Sequence, residues 1–238
     1  MMVNTPLCSC WDAFLIFTLP KGYASMPQTA TGLHMRQRSR AFIIADAAYP
    51  NNTFVFINAG MSYDSEKGCQ LICTFQLDIA MGDSGVRRSI VVELSSQFPA
   101  IYTDDNIAFV GTHSHAGVGG YLENLLPQVT SLGYVKETAD AIIAGSVLAV
   151  QRAHASLAPG KLSLGNTTIL NASINRSPTA YSSNPVDERA RYQHDSDKDM
   201  TVLRFDDLNG NARGLLSFFA VHGTSLYEVR HLYLYPRI

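Results

Sequence analysis

The chain has 238 residues, of which 46% are hydrophobic and 16% are charged, and its formal net charge is -2. This length and composition predict a globular protein, with one large domain or a domain plus appendages, rather than a disordered chain. The near-neutral charge and the lack of a basic run argue against a nucleic-acid-binding surface. No stretch approaches the roughly 20 apolar residues that span a bilayer, so no transmembrane segment is expected.

The first residues, 1–21, differ in character from the rest of the chain and show no periodicity. The apolar run at 14–17 is only weakly typical of a signal peptide, because a basic region is missing and Asp12 lies beside the run. The cysteines are Cys8, Cys10, Cys69 and Cys73. They lie in this head and in a second atypical segment, so we infer neither a disulfide nor a zinc site from them.

Predicted strands and helices alternate along the rest of the chain. The strands, recognised as short apolar or alternating runs, are expected at residues 41–45, 54–58, 107–110, 161–169, 201–205 and 215–221. The helices, recognised by their apolar spacing, are expected at residues 85–98 and 135–157. This alternation predicts an α/β fold, here a layered mixed β-sheet domain with flanking helices.

The first predicted helix has clear signals at both ends. Asp83 and Ser84 form a favourable N-cap, and Pro99 closes the helix. Ser84 is therefore assigned to the cap rather than to a protease nucleophile, for which the sequence context is wrong. The second helix carries one apolar stripe, formed by Ala139, Ile142, Ile143, Val147 and Val150.

A long segment with two prolines, 171–191, separates two of the predicted strands. We expect it to be irregular, as functional or mobile loops often are. The last two strands are joined by a predicted turn, Asp207-Leu208-Asn209-Gly210.

Two histidines come after the predicted strand at 107–110. Gly111 ends the apolar run, and His113 and His115 come next, two residues apart. If the strand continued, both imidazoles would point to the same side, because strand side chains alternate. The glycine-rich residues 116–120 then allow a sharp turn and close approach to a ligand. The pattern is that of half a zinc site, and the alternative is a pair of structural histidines.

A second strand ends in the same way, since the strand at 215–221 delivers His222 into Gly223-Thr224-Ser225. Zinc sites are often built from ligands on separate strands that meet at one sheet edge, so the coincidence favours metal binding. Catalytic zinc takes three protein ligands and a water, so these histidines do not form a complete set. The other histidines, expected at the surface or in loops, are His34, His154, His194 and His231.

Several segments together resemble one protein family. They are GYASMPQTATGLHMRQRSRAF, DIAMGDSGVRR, YTDDNIAFVGTHSHAGVGGYLENLLPQVTSLGYV, INRSP, DERARY and FAVHGTS. In this order they cover most of residues 22–228 and resemble the N-terminal part of the neutral ceramidases, zinc amidases that hydrolyse the N-acyl bond of ceramide. The motifs THSHAG and INRSP are highly specific.

The resemblance implies roles for particular residues. The first histidine of THSHAG and the histidine of VHGTS match the family's zinc ligands, so His113 and His222 are expected to bind one Zn²⁺. By the same match, His115 and Arg176 are expected in the substrate pocket. The resemblance also implies a secreted enzyme that meets ceramide, a sphingolipid, at a membrane surface.

The chain departs from the family pattern in three segments. Residues 1–21 do not match the family's first strand, residues 60–77 interrupt a run that matches on both sides, and residues 229–238 do not match. We therefore expect a partial catalytic domain at 22–228 with an insertion at 60–77. A gene product that is truncated or that retains introns would explain these segments, and we expect them to lie outside the core.

The resemblance places further functional groups downstream of the matched residues. These are a glutamate and a tyrosine that bind zinc, the proposed catalytic serine and an immunoglobulin-like domain. The fold is then expected to be incomplete, and the chain alone to be inactive. The alternative function is a non-catalytic α/β binding module or a pseudoenzyme that has lost the site. Zinc content separates the two, because a competent site holds one tightly bound ion.

If the protein is secreted, N-linked glycans are expected at Asn51, Asn166 and Asn171, which stand in sequons. Asn175 also matches the sequon pattern, but it precedes Arg176 in the presumed pocket and should stay unmodified. Mass spectrometry of glycopeptides from secreted material tests this prediction. A glycan at Asn175 would show that its loop faces solvent rather than a pocket.

Overall fold

The computed structural model of the chain describes residues 2–3, 26, 38–45, 53–60, 79–115 and 117–223. The four cysteines, the sequon residue Asn51 and the tail at 229–238 lie outside the described residues. Most residues of the atypical segments 1–21 and 60–77 also lie outside the described ranges. The described residues form two compact units, one within Met1–Pro159 together with Gly223, and one comprising Gly160–His222.

In its described part, the first unit contains a four-stranded mixed sheet and three helices. The strands, in their order across the sheet, are β1 (Met2–Val3), β2 (Arg38–Ala45), β3 (Thr53–Gly60) and β4 (Ile107–Gly111). The helices are α1 (Ser84–Gln97), α2 (Leu125–Ser131) and α3 (Lys136–Ala155). β1, β2 and β3 are antiparallel neighbours, whereas β4 pairs parallel with β3. A parallel pair needs a crossover connection, and α1 lies in it.

Helix α3 covers this sheet. It packs against β2 and β3, and α1 packs against α3. The buried residues of α3 include most of the predicted apolar stripe, namely Ala139, Ile142, Val147 and Val150. Inside this core, the Ser39 hydroxyl of β2 donates to the Ser146 hydroxyl of α3 at 3.2 Å. The bond joins the helix to the sheet and pairs two polar groups that burial would otherwise penalise.

Asp83 starts helix α1, as predicted. Its Oδ1 accepts hydrogen bonds from the backbone N–H groups of Gly85 at 2.9 Å and Val86 at 3.1 Å. These are among the first-turn donors that have no partner within a helix. The side chain is itself buried, so the cap is part of the packed structure rather than a surface feature.

In its described part, the second unit contains a three-stranded antiparallel sheet and two short helices. The strands are β5 (Gly160–Thr168), β6 (Asp199–Asp207) and β7 (Ala212–Phe219), in that order across the sheet. The helices are α4 (Pro178–Ser182) and α5 (Val186–Arg189). The predicted turn joins β6 to β7: Asp207 Oδ1 accepts from the N–H groups of Asn209 and Asn211, and Gly210 has a φ of 88°.

The structure corrects the expectation of an irregular segment at 171–191, because α4 and α5 lie within it. Pro178 occupies the first turn of α4, and Pro185 is the N-cap of α5. Proline is tolerated at a helix start because the N–H group that it lacks would have no helical partner there. The two prolines therefore begin helices instead of excluding them.

The strands and flanking helices confirm the predicted α/β fold. Helix α2 is missing from the prediction, because its 7 residues are fewer than the roughly 11 over which a helical apolar period is recognised. Over the described ranges, we find no helix that combines the length and the apolar character needed to cross a membrane.

An aromatic cluster lies beside the core of the first unit. The Tyr102 hydroxyl lies 2.6 Å from His154 Nδ1, and the ring centroids of Phe98 and His154 are 4.5 Å apart. His154 is therefore not the surface or loop residue that its sequence suggests: it belongs to α3 and is partly buried. Burial lowers the pKa of His154 below its ordinary value of 6.5, and burial also raises the pKa of Tyr102.

The lowered pKa of His154 predicts that the chain loses stability in mild acid. In the unfolded chain this histidine binds a proton near pH 6.5, whereas the folded chain resists protonation until lower pH. Its contribution to the free energy of unfolding is thus present above pH 6.5 and lost as pH falls through the folded-state pKa. Urea unfolding between about pH 8 and pH 5 measures this dependence.

The His154→Gln variant should show a flatter pH dependence than the unmodified chain, because glutamine does not titrate. His194→Gln is the matched control, since His194 is exposed. Equal pH slopes for the unmodified chain and His154→Gln would contradict this assignment.

Candidate metal centre

The end of strand β4 is crossed closely by the segment that precedes helix α1. A Cβ atom at Gly111 would lie 2.8 Å from the Ile79 carbonyl oxygen, and one at Gly82 would lie 2.7 Å from the Phe109 carbonyl oxygen. Side chains essentially never approach backbone oxygens this closely. The two glycines therefore let the backbone of 79–82 pack directly on β4, which brings Ala80 next to the residues that come after the strand.

His113 leaves the strand in a left-handed backbone conformation, with a φ of 67°. This conformation costs an L-residue about 1–2 kcal/mol and turns the chain sharply. Strand alternation therefore does not set the directions of the two imidazoles, since β4 ends at Gly111 and the strand does not continue to them. The turn still brings the rings together: the centroids of His113 and His115 lie 5.0 Å apart, with an interplanar angle of 86°.

A backbone carbonyl orients the His113 ring. His113 Nδ1 lies 2.8 Å from the carbonyl oxygen of Ala80. A carbonyl oxygen only accepts hydrogen bonds, so Nδ1 is the protonated nitrogen and Nε2 carries the lone pair of the neutral ring. Metal-ligating histidines are commonly held in this way, with the second ring nitrogen donating to a carbonyl or carboxylate.

Tyr121 and Asp83 hold the segment that presents Ala80. The Tyr121 hydroxyl accepts from the Met81 N–H at 3.2 Å and donates to the Met81 carbonyl at 2.9 Å. The Asp83 carboxylate accepts from the Glu123 N–H at 3.1 Å through the oxygen that does not cap the helix. Sequence analysis identifies Asp83 only as a cap and misses Tyr121, which is fully buried and directly follows the glycine-rich stretch.

In the second unit, Arg176 and His222 lie together. Arg176 Nη1 is 3.4 Å from Nδ1 and 3.3 Å from Nε2 of the His222 ring. The arginine is held through its neighbour: Asn175 Oδ1 accepts from the Ser177 N–H at 2.7 Å, and Asn175 Nδ2 donates to the Asp195 carbonyl at 2.9 Å. These two bonds engage both polar atoms of the Asn175 side chain, which fixes the loop that carries the guanidinium.

In the described part of the chain, the first unit offers His113 and His115 as candidate metal ligands, and the second unit offers His222. Imidazole nitrogen is a ligand for zinc, copper, iron and nickel, so these residues do not identify the metal by themselves. The remaining described histidines, His154 and His194, are not among these candidates.

The motifs around these histidines match one family over most of the chain. Residues 18–233 match the family model for the N-terminal part of the neutral/alkaline non-lysosomal ceramidases. The chain belongs to this family. The resemblance of its motifs to the neutral ceramidases is thereby confirmed.

Individual members of the family are similar to this chain over nearly its whole length. The neutral ceramidase of Drosophila melanogaster is 38% identical over 211 residues, which cover 89% of this chain and 27% of the relative. Neutral ceramidase 1 of Arabidopsis thaliana is 36% identical over 211 residues, which cover 89% of this chain and 24% of the relative. The chain thus spans about a quarter of the length of these relatives.

A solved structure agrees with the family assignment. The crystal structure of neutral ceramidase from Pseudomonas aeruginosa has a TM-score of 0.75 and 32% sequence identity, and the match covers 94% of this chain and 32% of that chain. The ceramidase-family chain is thus similar to about a third of that solved chain in both sequence and fold.

The contact between His113 and Ala80 predicts the tautomer of this histidine in the ceramidase-family chain. With Nδ1 donating to a carbonyl, the neutral ring should carry its proton on Nδ1 and not on Nε2. Two-bond ¹⁵N–¹H correlation spectra of the metal-free chain distinguish the two nitrogens. Exposed His194 is the control, and its two ring nitrogens should show ¹⁵N chemical shifts averaged over both tautomers. A protonated Nε2 on His113 would contradict the orientation described.

Proposed function

We propose that this chain forms part of a zinc-dependent amidase that hydrolyses the N-acyl bond of ceramide. In this reaction the oxygen of water bonds to the acyl carbon, the carbon–nitrogen bond breaks and the nitrogen takes up a proton, which yields a fatty acid and sphingosine. Family membership supports the substrate class. The observation that carries the metal-dependent part is the hydrogen bond from His113 Nδ1 to the Ala80 carbonyl at 2.8 Å, which leaves the lone pair on Nε2.

We propose His113 and His222 as the zinc ligands in this chain. Both are exposed side chains that come a few residues after a strand, and both fall in motifs that match the family. When bound at such a site, zinc polarises a carbonyl and lowers the pKa of a bound water. Two histidines are fewer than the three protein ligands usual for catalytic zinc, so the proposed set is incomplete.

His115 and Arg176 are proposed as pocket residues. The His115 ring is half-buried and stands nearly perpendicular to that of His113. We propose that it exchanges a proton with a water or an amide of the substrate, as pocket histidines do. Arg176 contributes a permanent positive charge and donates hydrogen bonds without accepting any. A guanidinium of this kind stabilises the negative charge that develops on an amide oxygen during attack.

The same proposal covers the domain organisation and the location of the enzyme. Residues 22–228 would form a partial N-terminal catalytic domain with an insertion at 60–77. The protein would be secreted and would act on ceramide at a membrane surface. The motifs quoted for the family support these assignments, and the chain covers about a quarter of the length of its relatives.

Zinc binding tests the proposed ligands. Equilibrium dialysis followed by elemental analysis should find one zinc ion per chain, and His113→Ala and His222→Ala should each weaken binding by about tenfold or more. His194→Ala is the matched control and should bind zinc like the unmodified chain. Unchanged zinc affinity in both test variants would overturn the ligand assignment, and a chain that holds no zinc would favour a non-catalytic binding module.

A ceramide hydrolysis assay tests the proposal that this chain holds only part of the catalytic groups. The 238 residues alone should release no measurable fatty acid from labelled ceramide in the presence of zinc, because groups that act as a unit lose most of the rate when one is missing. Turnover that disappears in His113→Ala would show instead that these residues suffice.

A further inference from the structure

Tyr121 is fully buried in the first unit, and its hydroxyl contacts the segment that precedes helix α1. The hydroxyl accepts a hydrogen bond from the Met81 N–H at 3.2 Å and donates one to the Met81 carbonyl at 2.9 Å. The tyrosine is thus both acceptor and donor towards the backbone of a single residue. Because a buried polar group is costly unless it is paired, this contact fixes the backbone of Met81 as well as the tyrosine ring.

The Met81 N–H belongs to the same peptide group as the Ala80 carbonyl. A peptide group is planar, and the described part of the chain contains no cis peptide bond. In a trans group the N–H and the carbonyl point in opposite directions within one plane. Tyr121 therefore holds one side of the peptide group whose other side accepts the hydrogen bond from His113 Nδ1 at 2.8 Å.

This peptide group transmits the effect of the tyrosine in two ways. Turning its plane would break the hydrogen bonds on both sides, so the Tyr121 hydroxyl restricts the direction of the Ala80 carbonyl. Hydrogen bonds in series also polarise one another, and an acceptor at the N–H makes the carbonyl oxygen a stronger acceptor. Both effects favour the neutral His113 ring that carries its proton on Nδ1 and its lone pair on Nε2.

The surroundings of Met81 leave its backbone little freedom to turn. On the strand side, a Cβ atom at Gly111 would lie 2.8 Å from both the nitrogen and the Cα atom of Met81. On the tyrosine side, the Glu123 N–H donates to the Asp83 carboxylate at 3.1 Å. The Tyr121 contact is thus supported by a second attachment two residues further along each segment.

We propose that Tyr121 is a positioning residue that holds His113 in the tautomer that binds metal. It acts through the peptide group between Ala80 and Met81. The proposal rests on the assignment of His113 as a zinc ligand under the proposed function. Loss of the partner that orients a metal-binding histidine lowers metal affinity by about 10–100-fold. Removing the Tyr121 hydroxyl removes the support of that partner rather than the partner itself, so we expect the lower end of this range.

The test compares two substitutions that each remove one buried tyrosine hydroxyl and keep the ring. In Tyr121→Phe, two-bond ¹⁵N–¹H correlation spectra of the metal-free chain, recorded above the ordinary pKa of histidine, should show His113 as a mixture of both tautomers. Equilibrium dialysis should show zinc binding weakened by about tenfold.

Tyr102→Phe is the matched control, because Tyr102 is also fully buried and its hydroxyl lies 2.6 Å from His154 Nδ1. This variant should change the ring signals of His154. The His113 signals and the zinc affinity should equal those of the unmodified chain.

Hydrogen exchange of the Met81 amide adds a measurement that does not depend on a variant. This N–H should be protected in the unmodified chain, because it donates to a buried hydroxyl. It should exchange faster in Tyr121→Phe but not in Tyr102→Phe. An unprotected Met81 amide in the unmodified chain would overturn the proposal even if Tyr121→Phe failed to fold.

Two further outcomes would overturn it: an unchanged His113 tautomer in Tyr121→Phe, or an equal loss of zinc affinity in both phenylalanine variants. The spectra are recorded without metal, so they test the Tyr121 contact whether or not His113 binds zinc. A His113→Ala chain that binds zinc like the unmodified chain would instead refute the ligand assignment of the proposed function. A changed His113 tautomer in Tyr121→Phe would then still establish the positioning contact.

Discussion

The close backbone contact between the segment 79–83 and the end of β4 is the constraint on which the site in the first unit depends. It is possible only because glycine stands at positions 82 and 111, where a Cβ atom would collide with a carbonyl oxygen. Once the segments touch, one end of 79–83 presents the Ala80 carbonyl to His113, and the other end caps α1 through Asp83. The buried backbone thereby helps to set the orientation of an exposed imidazole.

This arrangement also explains why the candidate metal ligands of the first unit are histidines and not carboxylates. Asp83 lies close in the fold, but its two oxygens accept three backbone N–H groups, from Gly85, Val86 and Glu123. A carboxylate engaged in this way would have to leave those donors unsatisfied in a buried environment in order to bind a metal. The Glu123 carboxylate is packed against Gly85, at the position a Cβ would occupy. Structural demands therefore use the Asp83 carboxylate.

The parts of this structure that the sequence predicts are those with local signals. Buried strands appear as short apolar runs, and an aspartate followed by a helical apolar spacing marks the start of α1. The positive φ of His113 has no decisive local signal, since histidine is enriched in this conformation but most histidines do not adopt it. Its partner Ala80 lies 33 residues away. The acceptor is a backbone carbonyl, which every residue has, so the sequence gives no signal for this contact. The motif thus indicates which histidines matter, while the tautomer comes only from the fold.

Exposed apolar side chains have different physical meanings in the two units. In the second unit, exposed Leu164 pairs across the β5-β6-β7 sheet with partly buried Leu203, which pairs with buried Leu216, so these three residues share one face of the sheet. Apolar side chains on one sheet face contribute to stability where they are buried. The exposed apolar side chains at α2, Leu125, Leu126, Val129 and Leu132, belong to no sheet and lie on a loop that is closed by the hydrogen bond from the Val135 N–H to the Gly120 carbonyl. Its side chains add little to the folded state, because burial is what makes an apolar group stabilising. Polar substitutions on α2 therefore leave the fold unaffected, and any property that they change is a property of the surface itself.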